Sequence, residues 1–226
     1  MAYWQGDAII FDLDGVLIDA NSVYERHWQA WAARHGVPFE DILAVHHGRP
    51  AAQTVEIVAP HLDPAREAAA YNQGLMEDTD LDGVLAFPGV ARLLGSLPVD
   101  RWAIATSAPQ PVAIARLGHL ALLQPDVLVT MDDVARGKPE PDPYLVAARG
   151  LGYPPQQCLV VEDAPAGIKA AAAAGAFVLA VTTTHTPEQL DGANGLASRL
   201  ADIAVVADGG GLRVAWPDLG RQTHHP

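Results

Sequence analysis

Four short apolar runs constrain this chain more than any other feature: "AIIF" at residues 8–11, "WAIAT" at 102–106, "CLVV" at 158–161 and "FVLAV" at 177–181. Each is too short for a buried helix and is continuously apolar rather than alternating, the pattern of strands covered on both faces. Weaker strand candidates are "DVLVT" at 126–130 and "IAVVA" at 203–207. Alanine-rich segments with helical patterning lie between them, among them "QPVAIARLGHL", "PDPYLVAARGLG" and "PAGIKAAAAAG". Strand alternating with helix predicts an α/β fold, a doubly wound parallel sheet flanked by helices. Such sheets collect their ligands at the carboxyl ends of the strands.

The alternation breaks once. From Asn21 to Leu85 no convincing strand appears, only helical patterning. "SVYERHWQAWAARHG" sets Val23, Trp28, Trp31 and His35 near one face and ends at Gly36, a natural C-cap. Three further helices are expected near 39–46, 50–58 and 64–77, with Pro50 and Pro64 close to first turns. The chain of 226 residues is long enough for one core with an insert. The expected division is a core of residues 1–17 and 86–226 and a helical cap of residues 18–85, with "AFPGV" (86–90) returning the chain to the core. The alanine run 170–174 reads as a tightly packed helix face.

Composition removes several classes of function. The net charge is −13, and the only lysines are Lys138 and Lys169, so no basic stripe exists to neutralise a nucleic acid. The single cysteine, Cys158, opens an apolar run and reads as a small buried hydrophobe. One cysteine cannot form an internal disulfide, which suits a reducing compartment. No signal-peptide pattern opens the chain, and no apolar stretch reaches the roughly 18 residues of a membrane span. The expected location is the cytoplasm. The two histidines of the tail "RQTHHP" carry no metal-site spacing.

The first strand runs into Asp12 and Asp14 in "FDLDG". Residues two apart in an extended segment point to the same side, so two like charges meet at the ligand edge of the sheet. Such a pair needs a cation or a shared proton. A second acidic pair, Glu162 and Asp163, ends the strand "CLVVED", although an aspartate there would also serve as a helix cap. An all-oxygen donor set favours a hard cation such as Mg²⁺. Thr106 and Ser107 end a third strand and precede a helix whose N-terminal amides would receive an oxyanion, or they simply cap that helix. Lys138 stands in a loop stiffened by Pro139, Pro141 and Pro143. Together these groups suit phosphoryl transfer, with Asp12 attacking phosphorus and Asp14 moving the protons.

In order, "DLDGV", "ATS", "GKPEPDPY" and "VEDAPAGIKAA" resemble the four motifs of the haloacid-dehalogenase-like (HAD) superfamily of phosphohydrolases. The resemblance implies a Rossmann-like core with a helical cap inserted after the first motif. It implies Asp12 as nucleophile, Asp14 as general acid and base, Thr106 on the phosphate, and Lys138 steadying phosphate and nucleophile. Mg²⁺ would be held by the Asp12 carboxylate, the Asp14 backbone carbonyl and Asp163, with Glu162 in or just behind that shell. Within the superfamily the chain looks most like the phosphatases of small sugars and polyols, through "HHGRPAAQTVEIVAP", "RWAIATSAP" and "VVEDAPAGIKAA". The first of these would place His47 and Arg49 over the site as substrate-binding residues, with Ser107 beside the phosphate and His46 in a structural role. The alternative for Arg49 is an ordinary solvated cap residue. The β-phosphoglucomutases share the motifs but carry a Thr-x-x-x-His sequence where this chain has Ala20 and Tyr24, and a cap lysine that is missing here. The implied partner is a small phosphorylated metabolite, acted on by a monomer or weak dimer.

Overall fold

A computed structural model of the chain describes residues 1–46, 49–208, 210–217 and 219. Strand β1 (Ala2–Gly6) leads into β2 (Ala8–Phe11), the first of the buried runs. A short strand β3 (Ile18–Asp19) is followed by helices α1 (Asn21–His35), α2 (Phe39–Leu43), α3 (Ala51–Val58) and α4 (Pro64–Glu77), and then by β4 (Leu85–Ala86). Next come α5 (Val90–Ser96), β5 (Trp102–Ala105), α6 (Gln110–His119), β6 (Val127–Val129) and α7 (Asp142–Leu151). The chain continues through β7 (Cys158–Glu162), α8 (Pro165–Ala174), β8 (Phe177–Val181) and β9 (Gly195–Ala197) to a hairpin of β10 (Ala204–Asp208) and β11 (Gly211–Trp216).

The central sheet has the order β6-β5-β2-β7-β8-β9, and every neighbouring pair is parallel. All four strongly apolar runs lie in it, and the weaker candidate "DVLVT" supplies its edge strand. The other weak candidate behaves differently. "IAVVA" pairs antiparallel with β11, and β11 pairs antiparallel with β1, making a separate three-stranded sheet. The alternating pattern of "GLRVAW" explains this, since Leu212, Val214 and Trp216 are buried while the residues between them are more exposed.

Period-two alternation sorts the parallel strands into two cores. Ile9, Phe11, Ile104, Leu159, Val161, Leu179 and Val181 face one side with Trp102. Ala8, Ile10, Ala103, Ala105, Val160, Val178 and Ala180 face the other, where they meet Ala147, Ala148, Ala170, Ala171 and Ala174 of α7 and α8. The second face is thus built mainly from small side chains, and the helices lie close on the sheet. Cys158 belongs to it, fully buried, its thiol pushed up to about 11 chiefly by burial.

The four helices between β3 and β4 start and stop for local reasons. Gly36 takes a left-handed conformation and closes α1, as its position after the periodic run predicts. Asp63 caps α4, accepting from the Ala65 and Arg66 amides, and Pro64 opens that helix. Trp28 stacks on Tyr71, with ring centroids 4.2 Å apart, tying α1 to α4. Strands β3 and β4, which flank these helices in the chain, pair antiparallel. Among the described residues no helix is long and apolar enough to cross a membrane.

Chain order reverses at β2: β5 and β6 lie on one side of it, β7, β8 and β9 on the other. A crevice therefore opens at the carboxyl ends of β2, β5 and β7. Because Ile10 sits on the close-packed face, replacing Ile10 with Ala should lower the unfolding free energy by about 3 kcal/mol. The change should appear as a lower urea midpoint at an unchanged slope.

Candidate active site

The three strand ends each deliver polar groups to that crevice. Asp12 follows β2, Thr106 follows β5, and Glu162 and Asp163 close β7. All four side chains are buried, as is Lys138, which is only 3% exposed although it lies in the loop before α7. Lys138 donates to Asp12 Oδ1 at 2.5 Å and to Glu162 Oε1 at 2.7 Å. One ammonium thus sits between two carboxylates from adjacent strands.

Glu162 has no acceptor position left. Oε1 takes Lys138 and the Tyr144 hydroxyl (2.7 Å), while Oε2 takes the backbone amides of Asp163 and Ala164 at 2.8 and 3.0 Å. Burial alone would raise its pKa, but Lys138 and these donors hold the carboxyl below the usual range. Two glycines make room for the acids. A Cβ at Gly167 would overlap the Glu162 carboxylate, and one at Gly15, where φ is +89°, would overlap Asp163.

Asp12, Glu162 and Asp163 can bring one oxygen each within 4.8 Å of one another. Three carboxylates face one lysine there, which leaves a buried negative excess. Burial, opposed by Lys138 and reinforced by Glu162 and Asp14, pushes Asp12 up to about 7. Asp163 also rises well above the carboxylate range, first through burial and then through Glu162 and Asp12. A hard divalent cation against Asp12 and Asp163 is what this charge excess lacks, so the donor set fits one.

Thr106 Oγ1 accepts from the Ala108 amide at 3.1 Å, which leaves its own hydroxyl hydrogen to donate. The expected role of the helix amides changes. Helix α6 begins only at Gln110, whose amide is taken by Asp132 Oδ2 at 2.8 Å, and Pro111 has no N–H. The donors near Thr106 are therefore side-chain hydroxyls, including half-buried Ser107, more than a helix end. The crevice encloses a cavity of about 110 Å³. The carboxylates, Lys138, Thr106 and Ser107 line its floor, and Tyr24, Trp28, Arg49, Tyr71 and Asn72 line its upper part. Arg49 is exposed where it lines the cavity, and His46, expected to be structural, is buried but also lines it. His47 lies outside the described residues.

Several site residues escaped the sequence reading. Thr184 Oγ1 donates to Asp163, and Thr183 Oγ1 donates to the Gly15 carbonyl, so the loop after β8 braces the acids from a fourth strand end. Tyr144 buttresses Glu162 from α7. Arg116 of α6 and Tyr24 of α1 both bond to Asp14. The only advance signals were a threonine cluster at a strand end and an arginine on the otherwise apolar stripe of α6.

Two outcomes follow from this geometry. Replacing Gly by Ala inside a helix ordinarily stabilises by about 1 kcal/mol. Gly167→Ala should instead destabilise by about 3 kcal/mol, because it displaces a buried carboxylate from its partners; urea unfolding reads the sign. Asp12 and Asp163 hold protons in the fold at pH values where the unfolded chain has released them. The Asp12 contribution to stability is therefore lost as pH rises from about 4 through about 7, and the Asp163 contribution falls in the same direction. The metal-free protein should lose thermal stability between pH 5 and pH 8 through these groups, and millimolar Mg²⁺ should raise the unfolding temperature more at pH 8 than at pH 5.

Comparison with known proteins identifies the family. The family model of haloacid dehalogenase-like hydrolases matches residues 7–175. Hexitol phosphatase A of Escherichia coli is 41% identical over 199 residues, covering 87% of this chain and 92% of that protein. Validoxylamine A 7'-phosphate phosphatase of Streptomyces hygroscopicus is 38% identical over 223 residues, covering 93% of this chain and 97% of that protein. Among solved structures, β-phosphoglucomutase from Clostridium difficile superposes with a TM-score of 0.68 at 26% identity, covering 86% of this chain and 92% of that one. The chain belongs to the haloacid dehalogenase-like hydrolases.

Proposed function

We propose that this protein is a Mg²⁺-dependent phosphatase that hydrolyses small phosphorylated sugars or polyols through an aspartyl-phosphate. The observation that carries this reading is the buried Asp12–Lys138–Glu162 array beside Asp163 at the floor of a small cavity.

Asp12 attacks phosphorus as the ester bond breaks in line behind it. Asp14 gives its proton to the leaving oxygen, then takes one from the water that hydrolyses the aspartyl-phosphate. Lys138 fixes the Asp12 carboxylate and places positive charge against the phosphoryl oxygens. Thr106, with its hydroxyl hydrogen free to donate, and Ser107 receive the same oxygens. Asp12, Asp163 and the Asp14 carbonyl would hold Mg²⁺, which would neutralise the charge on the transferring group. Glu162, with all its acceptor positions used, acts by holding Lys138.

The substrate class rests on what lines the upper cavity. Asn21 and Asn72 offer hydrogen bonds to hydroxyl groups, Trp28 and Tyr71 offer apolar faces, and Arg49 is the one cation lining it among the described residues. That lining suits one phosphate attached to a hydroxyl-rich, otherwise uncharged body. The names of the two phosphatase relatives point the same way. We read the helices between β3 and β4 as a cap over the site, within the division 18–85 expected from the sequence. A monomer or weak dimer stays the expected assembly, and the single buried thiol suits a cytoplasmic enzyme.

A phosphosugar mutase is the second reading, favoured by the likeness to β-phosphoglucomutase. Ala20, Tyr24 and the absence of lysine from residues 18–85 weigh against it. A phosphate-release panel of sugar and polyol phosphates, with and without Mg²⁺, tests both. Turnover should require the metal and fall at least about 1,000-fold in Asp12→Asn. β-Glucose 1-phosphate with a bisphosphate primer should yield free phosphate; accumulation of glucose 6-phosphate instead would favour the mutase.

A further inference from the structure

Asp14 is held by a closed ring of contacts that the roles above leave unexplained. Arg116 Nη1 donates to Asp14 Oδ1 at 2.7 Å and to the Tyr24 hydroxyl at 2.7 Å, and that hydroxyl donates to Asp14 Oδ2 at 2.9 Å. Both hydrogens of one guanidinium nitrogen and one acceptor position on each Asp14 oxygen are thereby engaged, so the carboxyl group is held in one orientation while each oxygen keeps a position for a proton. The guanidinium carbon also lies 4.5 Å from the centre of the Tyr24 ring.

This ring is costly to keep. Arg116 is 1% exposed and its Nε is buried without a hydrogen-bond partner. A well-packed apolar side chain on the stripe shared with Val112, Ala113 and Leu117 would serve stability at least as well. Arg116 comes from α6, which follows β5 of the parallel sheet, while Tyr24 comes from α1 of the inserted helices. The orientation of Asp14 is therefore set jointly by the core and by the helical layer.

We infer that Arg116 and Tyr24 are positioning residues for acid catalysis, aiming the Asp14 carboxyl at the ester oxygen and doing so only when the inserted helices sit on the sheet. The inference rests on the phosphatase reading, with Asp14 as proton donor. In the step concerned the bond between Asp12 and phosphorus forms and the bond to the ester oxygen breaks. The departing electron pair goes to that oxygen, and the Asp14 proton joins it, so the product leaves as an alcohol.

Leaving groups separate this role from a merely structural one. An alkoxide needs the proton, whereas 4-nitrophenolate leaves without it. Phosphoenzyme formation is measured in rapid-quench single turnovers with Mg²⁺. The substrates are glucitol 6-phosphate, or the fastest alkyl phosphate of the panel, and 4-nitrophenyl phosphate. Tyr24→Phe should slow the alkyl reaction about 10-fold and Arg116→Lys about 100-fold, with the aryl reaction changed less than about 3-fold. Equal slowing of both substrates, or an unaffected alkyl reaction, would overturn the inference while leaving the phosphatase reading in place. Wild-type protein that forms no phosphoenzyme from either substrate would overturn both. Should Arg116→Lys fail to fold, Tyr24→Phe decides alone, because it removes one oxygen and keeps the ring.

Discussion

Lys138 is one of two lysines in a strongly acidic chain, and it is spent where the acids are densest. Its ammonium lies between Asp12 and Glu162, carboxylates from neighbouring strands that would otherwise repel across a buried gap. Burial penalises that charge, but the two carboxylates keep the lysine protonated, with its pKa raised well above its usual value. Much of the surrounding structure serves this contact. Tyr144 and two backbone amides hold Glu162, Gly167 leaves space for it, and the proline-rich loop ahead of α7 brings the lysine in from far along the chain.

The acids around Lys138 divide their work by their partners. Glu162 is saturated with donors and faces inward. Asp12 and Asp163 share a charge excess that suits a divalent cation, with Thr184 bracing Asp163. Asp14 belongs to a different network, made by Arg116 and Tyr24. Four carboxylates within one crevice thus have three distinct environments, which is how like residues come to hold different chemical roles.

The parallel sheet and its acidic strand ends were readable because buried strands must be continuously apolar, and charges at their ends then stand out. The antiparallel hairpin was less legible. "IAVVA" has the same greasy look as the parallel strands, and only the alternation of "GLRVAW" beyond a glycine-rich stretch marks it as a half-exposed partner. The supporting residues of the site were harder still. Tyr24 is one polar residue on a helix whose burial is shared between α2 and α4, so no single period reveals which way it faces. Arg116 did carry a signal: it falls three and four residues after Ala113 and Val112, where an apolar side chain is expected. Thr183 and Thr184 gave a weaker signal, a threonine cluster beyond a strand end with no acidic residue beside it.

The two faces of the sheet differ in how much change they can absorb. On the face lined by Phe11, Trp102, Ile104 and Leu179, large side chains interlock, and a change of volume can be shared among neighbours. The alanine-lined face has no such slack, since an added methylene pushes directly on a helix backbone. Helix α7 rests there, with Tyr144 pointing back to Glu162 and the Lys138 loop at its start. The face with the least tolerance for sequence drift is therefore the one behind Lys138. Repacking this protein for heat resistance belongs on the opposite side, among its large side chains away from α6, Trp28 and Tyr71, which hold Asp14 or line the cavity.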